Sequence, residues 1–438
     1  MLTVAVVGSG PSGVYTAEAL LKARPDAVRV DVYDRLPAPY GLVRYGVAPD
    51  HLKIKSVARA LQKTFEHPAV RFFGDVEVGV SPTVDALRAA YDVVVYAFGA
   101  AQDRRLGIPG EDLHGSFSAV EFVAWYSGHP DAEIDRYTLD AASVVVVGAG
   151  NVAIDVARVL AKPVDALRST DIPDQVLDVL AASAVTDVHL VARRGPAQAK
   201  FTTKELREMG EIDGCDVVLD PAVMELDEAS LAEAAEHKEV ARNVEVMREF
   251  SARTPTGAGR RLHFDFWSSP TAVLGDERVQ GVRCDRTSLS PTGGAAPTGE
   301  SFDIPAQMVL RSVGYRGAAI PGVPLDDRAG VIPNEQGRLL RDGAVSPGEY
   351  AVGWIKRGPT GVIGTNRSDA ADTVAAILED WPDGSKTPDL PDLAAVSWEG
   401  WLAIDAAEAT AGAAQGRDRV KLARWEELRA AANARGNS

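Results

Sequence analysis

A lone carboxylate follows one glycine-rich turn of this chain, and a pair of guanidinium groups follows another. Gly8-Ser9-Gly10-Pro11-Ser12-Gly13 comes straight after the apolar run Val4–Val7, and Gly148-Ala149-Gly150-Asn151-Val152-Ala153 straight after Val144–Val147. Strand, tight turn and helix start is the context in which such glycines hold a dinucleotide. The backbone approaches the pyrophosphate closely, and the helix N-terminus supplies N–H donors and partial positive charge. The apolar stretch after the first turn ends in Asp34, 26 residues beyond Gly8 (34 − 8), near the usual offset of about 20 for a carboxylate on ribose hydroxyls. The stretch after the second turn ends in Arg193-Arg194-Gly195, and two guanidinium groups suit a 2′-phosphate. The first site therefore reads as one for FAD and the second as one for NADPH. Two empty scaffolds would not need both Asp34 and the arginine pair.

The elements that must position these groups follow from the pattern. A helix over 14–23 and a strand over 28–33 complete the first unit, followed by a Pro- and Gly-rich loop over 36–49, a helix over about 51–66 and an extended stretch over 70–78. Asp92–Ala97 reads as a buried strand leading to Phe98-Gly99. The second fingerprint carries a helix over 152–160, and an insertion over 161–184 explains why Arg193 lies so far from its glycines. Strands are expected near Val217, Val244 and Val279, with surface hairpin loops over 251–259 and 288–300. Met308–Tyr315 reads as the strand leaving the second domain, and Tyr350–Trp354 as the return to the first. Helices follow over 369–378 and from Trp398 onward, with a docked surface helix over 419–432.

Composition narrows the classes. The 438 residues suit two or three domains, and 46% hydrophobic with 25% charged residues is ordinary for a soluble protein. A net charge of −16 argues against nucleic acid as a general partner. No apolar run reaches the ~18 residues of a membrane span, and the first strand begins at Leu2, so a cytoplasmic protein is expected. Cys215 and Cys284 form no C-x-x-C pair, which argues against a redox disulfide, and the seven histidines show no metal-ligand spacing, so no metal is expected.

Three segments are candidates to wall a nicotinamide against a flavin and keep water out. They are Tyr40–His51, the fingerprint helix carrying Asp155, and the Gly-rich stretch Gly353–Asn366. At these residues the chain resembles a known family. Gly-Leu-Val-Arg-x-Gly-Val-Ala-Pro-Asp-His from Gly41, Gly-Asn-Val-Ala-x-Asp-Val-Ala-Arg from Gly150, Arg-Arg-Gly from Arg193, Phe-Thr-x-Lys-Glu-Leu-Arg-Glu from Phe201 and Gly-Trp-x-Lys-Arg-Gly-Pro-Thr-Gly-Val-Ile-Gly-Thr-Asn from Gly353 are similar to adrenodoxin reductase and its bacterial ferredoxin–NADP reductase relatives. The likeness runs from Val4 to about Asn366.

The resemblance implies an α/β fold of two Rossmann-like dinucleotide-binding domains of the glutathione reductase/adrenodoxin reductase type, the second inserted in the first. Residues 1–103 and 319–438 would bind FAD and 104–318 would bind NADP. FAD would meet Gly8, Gly10, Ser12 and Gly13 through its pyrophosphate and Asp34 through ribose. Leu42 and Val76 would pack against it, with Trp354, Gly361, Val362 and Ile363 on the flavin side. NADPH would use Ala149, Gly150, Asn151 and Val152 for the pyrophosphate, Arg193 and Arg194 for the 2′-phosphate, and Glu205 with the Gly361 backbone at its other end. His51, Asp155 and Glu208 resemble the polar residues the family places near the flavin. One departure is Asp34, where the family often has Glu, which shortens the reach and keeps the charge. Plainer roles stand beside these: an answer only to the helix dipole for Asp155, to a helix start for His51, to the core for Trp354, and to Lys204 at i−4 for Glu208.

The expected activity is that of an FAD-containing NADPH–ferredoxin reductase feeding a separate iron–sulfur ferredoxin, with a cytochrome P450 among the candidate terminal acceptors. Arg44, Lys53, Lys55, Lys200, Lys204, Arg207, Lys356 and Arg357 are candidates for docking an acidic carrier. The alternatives are another NADPH-dependent flavoenzyme, of the monooxygenase or quinone/diaphorase type, and a non-catalytic flavin-binding module.

Overall fold

The computed structural model describes residues 1–381, 384, 386–390 and 393–434. The chain forms two compact units, one of Met1–Gln102, Ser127–Asp131 and Gly314–Ser438, the other of Asp103–Tyr126 and Ala132–Val313.

Among the described residues the first unit is built on a seven-stranded sheet in the order Asn334–Glu335, Arg338–Arg341, Ala344–Ala351, Val93–Tyr96, Leu2–Val7, Val28–Tyr33, Val70–Phe73. The last five run parallel and the first three form an antiparallel edge. All six residues of Leu2–Val7 are buried, as a central strand covered on both faces requires. The helices Pro11–Ala23 and Thr365–Asp380 pack on each other, and their apolar residues join one core with Val4, Val6, Val30, Val93 and Val95.

The second unit has a six-stranded, wholly parallel sheet in the order Ser116–Ser118, Met308–Arg311, Ser143–Val147, Asp187–Val191, Arg260–Asp265, Cys215–Val218. A three-stranded antiparallel sheet, Ser268–Leu274, Gly281–Leu289 and Ala295–Pro305, packs its Val273, Val282, Cys284 and Ile304 against Val145, Val147, Val191 and Val309. Each unit thus has its glycine fingerprint at the carboxyl end of a central parallel strand, and the architecture is a pair of Rossmann-like α/β units.

Several local expectations need correction. The helix expected over 51–66 is two helices, Leu52–Lys55 and Ala58–Phe65, because Ser56 Oγ bonds back to the Lys53 carbonyl at the break. The strand after it stops at Phe73, where Asp75 adopts a positive φ and Val76 N–H turns to the Asp34 carbonyl. Val244 lies in the helix Lys238–Ser251, whose Val244, Met247 and Phe250 recur at helical spacing and are buried. The strand expected near Val279 is found from Gly281. The 251–259 stretch joins that helix to Arg260–Asp265 instead of turning a hairpin, and the Asp216 carboxylate collects the N–H groups of Thr256, Gly257 and Ala258. The hairpin around Ser290–Gly294 is found.

The last correction concerns 419–432, which is helical only from Trp425. The residues before it serve a buried charge. Arg44 forms a bidentate pair with Glu408, both almost without exposure, and its guanidinium lies 5.0 Å from the Tyr45 ring centroid and 5.2 Å from that of Trp401. Leu422 N–H donates to Glu408 at 3.0 Å, and Lys421 Nζ donates to the carbonyls of Arg44 (2.7 Å) and Ser127 (2.9 Å). Removing one partner of such a pair strands the other charge. Glu408→Ala is therefore expected to cost about 3–5 kcal/mol, read as a lowered unfolding midpoint by circular dichroism, with Glu408→Gln milder.

His129 reports on the same region. Burial, with Arg35, Lys421 and Arg44 nearby, holds its pKa down at about 4 against 6.5, although Asp131 opposes this. The folded state resists a proton that the unfolded chain accepts. This contribution is complete above pH 6.5 and is lost as pH falls toward 4. The wild type should lose up to about 3 kcal/mol more than His129→Gln over that interval, measured by denaturant unfolding.

Candidate functional site

In the first unit three glycine-bearing segments converge. The fingerprint turn runs into Pro11–Ala23, whose N-cap Gly10 has no side chain to satisfy the first N–H groups. Gly13 is packed so tightly that a Cβ there would sit 2.0 Å from the Gly8 carbonyl oxygen. Tyr40 N–H donates to Ser9 O at 3.1 Å, which lays Gly41 against Gly10. From the other side Ser12 Oγ bonds Asn366 Oδ1 at 3.1 Å, Gly353 N–H donates to Asp369 Oδ2 at 2.5 Å, and Lys356 Nζ pairs with Asp369 at 2.9 Å. Arg357 also donates to Asn366 Oδ1, at 2.9 Å.

Asp34 closes this turn. Its Oδ2 accepts from Ser9 N–H and Ser9 Oγ, and its Oδ1 accepts from Leu36 N–H at 2.9 Å. Burial pushes the carboxyl up while these bonds pull it down, with burial prevailing. Beyond the Leu36 bond, Oδ1 has the capacity to accept a second hydrogen bond. Leu42 opens the short helix Leu42–Tyr45, and Val76 is buried in the core beside Val7 and Tyr33. Trp354 is half-buried; its indole N–H donates to Thr360 O, and its ring centroid lies 5.6 Å from that of Tyr315. Val362 is 63% exposed, unusual for a valine beside a Gly-rich loop, while Ile363 packs on the core.

In the second unit the fingerprint helix is Asn151–Ala161, again with a glycine N-cap and no side-chain cap. Gly148 is pressed against the neighbouring strand exit: at φ +147°, its Cβ would lie 2.3 Å from Ser312 O. Gly150 faces open space. Ala149 O accepts from Lys200 N–H and Asn151 Oδ1 from Thr202 N–H, which sets the 200–202 segment over the turn. Arg193 is exposed and Arg194 half-buried, and two residues that carried no signal in the sequence brace their turn. Thr287 Oγ1 donates to Arg193 O at 2.8 Å, and Trp267, at positive φ, donates its N–H to Arg194 O and lies flush against Gly195.

These two cradles, one closed by a carboxylate and one flanked by arginines, set the comparison with known proteins. The sequence pattern of the pyridine nucleotide-disulphide oxidoreductase family matches residues 2–357. NADPH-ferredoxin reductase FprA of Mycobacterium tuberculosis is 46% identical over 97% of this chain and 98% of its own. The mitochondrial NADPH:adrenodoxin oxidoreductase of Arabidopsis thaliana is 41% identical over 98% and 95%. The solved structure of the M. tuberculosis FprA in complex with NADPH superposes with a TM-score of 0.93 at 45% identity, covering 98% of this chain and 99% of that one. The chain belongs to the pyridine nucleotide-disulphide oxidoreductases, in their adrenodoxin reductase-type family.

Within that family name the disulphide chemistry is not carried by these cysteines. Both are free, and burial pushes the Cys215 thiol up to about 11 and the Cys284 thiol up to about 12. Among the polar candidates, His51 is buried at the start of Leu52–Lys55 in the first unit. Asp155 and Glu208 belong to the second unit. Asp155 is buried and paired with Arg158 at 2.8 Å, and it brings a carboxylate oxygen within 4.8 Å of one from buried Glu205. Glu205 accepts from Thr202 Oγ1 at 2.9 Å. Glu208 lies 3.3 Å from Lys204, the plain helix-surface pair.

The basic candidates divide. Arg44 is buried in its Glu408 pair and is no part of a docking surface, a correction to the expectation; Lys53, Lys200, Lys204 and Arg207 are exposed. The contrast between Gly148 and Gly150 is testable. Gly148→Ala must displace backbone and should lower the thermal midpoint by the equivalent of about 1–3 kcal/mol, whereas Gly150→Ala should leave it within about 0.5 kcal/mol.

Proposed function

We propose that this chain is an FAD-dependent NADPH–ferredoxin oxidoreductase. The observation that carries the reading is the asymmetry of the two cradles on two Rossmann-like units: glycine turns of the same construction, with Asp34 at the ribose position of one and exposed Arg193 beside Arg194 at the other. The activity named for the mycobacterial and plant relatives fits that pair of sites.

The residues present fit FAD in the first unit. A Cβ at Gly353 would fill the seam between the fingerprint turn and the Gly353–Asn366 segment, one at Gly13 would fill the turn itself, and the uncapped N–H groups of Pro11–Ala23 suit a pyrophosphate. Gly8, Gly10, Ser12 and Gly13 are assigned to that pyrophosphate, Asp34 to ribose, Leu42 and Val76 to packing, and Trp354, Gly361, Val362 and Ile363 to the flavin side. Bound there, FAD supplies the conversion of a two-electron hydride donor into single electrons. In the second unit Ala149, Gly150, Asn151 and Val152 are assigned to the NADPH pyrophosphate, Arg193 and Arg194 to its 2′-phosphate, and Glu205, with the backbone of Gly361, to its other end. His51, Asp155 and Glu208 are assigned to holding or moving a proton as the redox state changes.

The partner is a separate iron–sulfur ferredoxin, since two unpaired cysteines cannot hold a cluster. An acidic carrier suits the exposed Lys53, Lys200, Lys204 and Arg207. A cytoplasmic location, where free thiols are the rule, completes the proposal.

The test is anaerobic mixing of the purified protein with NADPH and, separately, NADH while the flavin absorbance is followed. Bleaching much faster with NADPH is expected; a yellow protein that neither nucleotide bleaches would overturn the reading. Arg193→Ala and Arg194→Ala should each weaken NADPH by about tenfold or more, the value of a charged bond to phosphate, and leave NADH nearly unchanged. Equal losses for both nucleotides would refute the 2′-phosphate assignment.

A further inference from the structure

The neighbouring parallel strands Asp187–Val191 and Arg260–Asp265 of the second unit are in a register that sets Asp187 beside Arg261, His189 beside His263 and Val191 beside Asp265. The period of two puts these side chains on one face of the sheet. The two imidazole rings stack with centroids 4.2 Å apart and planes within 8°. A carboxylate stands at each: Asp265 Oδ2 lies 2.9 Å from His189 Nδ1, and Asp187 Oδ1 lies 2.8 Å from His263 Nε2. Along the same rows the outer neighbours are Val145 and Val218. His189 and His263 therefore interrupt a row that has valine at both ends, and Asp265 ends the row of Val147 and Val191.

We propose that Asp187, His189 and His263 form a binding site for a divalent transition-metal ion, of which zinc is the representative. Ligand atoms of these three residues all lie within 4.8 Å of one another, and the two rings meet a common ion at the usual 2.0–2.2 Å by turning out of their parallel stack, because each imidazole lone pair lies in its own ring plane. Two imidazoles and one carboxylate are a ligand set that zinc accepts. Asp265 on His189 Nδ1 fixes that ring and its tautomer, which directs Nε2 to the ion, the arrangement of a carboxylate–histidine–metal unit. His263 carries its ring proton on Nδ1 in the bound form and gives the Nε2 lone pair to the ion in place of its bond to Asp187. Arg261 pairs with both oxygens of Asp187, Nη2 with Oδ2 at 2.7 Å and Nε with Oδ1 at 2.7 Å, so Oδ1 gives up its share of that pairing when it turns to the metal while Oδ2 keeps the carboxylate oriented. The formal charges of Asp187, Asp265 and Arg261 sum to −1, which a divalent cation complements. The four histidine and aspartate side chains are between 15% and 28% exposed, enough for entry and for water in a fourth position.

The site would clamp two adjacent strands, one of which runs on to Arg193 two residues after it ends. It is independent of the reductase reading, because its test reads metal and not turnover. Full-length protein freed of metal with a chelator is titrated with Zn2+ by calorimetry, and Co2+ is added separately for its ligand-field absorption. Saturable binding that is lost or weakened at least about tenfold in His189→Ala and in His263→Ala, and unchanged in His237→Ala on an exposed position, is expected. Asp265→Asn, which keeps the bond to His189, should weaken Zn2+ about tenfold without loss of fold, and covers the case in which a histidine variant does not fold. Absence of saturable Zn2+ binding, or binding and Co2+ spectra that survive Asp265→Asn together with both histidine variants, overturns the proposal.

Discussion

The closeness of backbone to backbone at two turns governs much of this molecule. Gly13 rests on the Gly8 carbonyl and Gly148 on the Ser312 carbonyl, at distances that leave no room for even a methyl group. Such contacts let each fingerprint helix begin directly over the end of a buried strand, so that its first N–H groups open outward instead of into the core. Everything outside the turn is arranged to keep this geometry. The valine strands beneath are buried on both faces, and a second glycine-bearing segment seals the first turn through Ser12, Asn366 and Asp369. A close-packed interior transmits strain, so the turn and its surroundings stand or fall together.

The two cradles share a construction and diverge in charge, and the divergence sits at strand ends. Asp34 works inward, closing its own loop through Ser9 and Leu36. Arg193 projects from a turn held by backbone carbonyls, its guanidinium left at the surface. Two frames of the same construction thus differ chiefly in the charge of a few side chains at their strand ends.

Much of this was legible in the sequence. The parallel-strand cores were visible as runs of valine, and the fingerprints because glycine spacing is dictated by sterics. Asp34, Arg193 and Arg194 stood out because charge at a strand end after such a turn has few other uses. What escaped notice depends on distant partners. The break at Ser56 reflects one local bond competing with the helix, and Val244 looked like strand because a valine flanked by polar residues fits either period until Met247 and Phe250 are counted with it. Trp267 and Thr287 brace the arginine turn from a sheet that no local pattern connects to it. Arg44 looked like a surface cation because nothing near it in sequence foretells Glu408, and the histidines at 189 and 263 are joined only by strand register.

The Arg44–Glu408 pair also sets a timetable. The loop bearing Leu42 leaves the ribosome early, yet the carboxylate that holds its arginine, the ring of Trp401 and the ammonium of Lys421 follow more than 350 residues later. At typical elongation rates that interval is roughly 20–70 s. Through it the strand Ala344–Ala351, which completes the parallel part of the first sheet, is also missing for most of the time. The second unit, drawn wholly from residues between 103 and 313, has every strand of its sheet in hand well before then. The unit whose strands are begun first is thus the last to have all of its strands and its buried ion pair in hand.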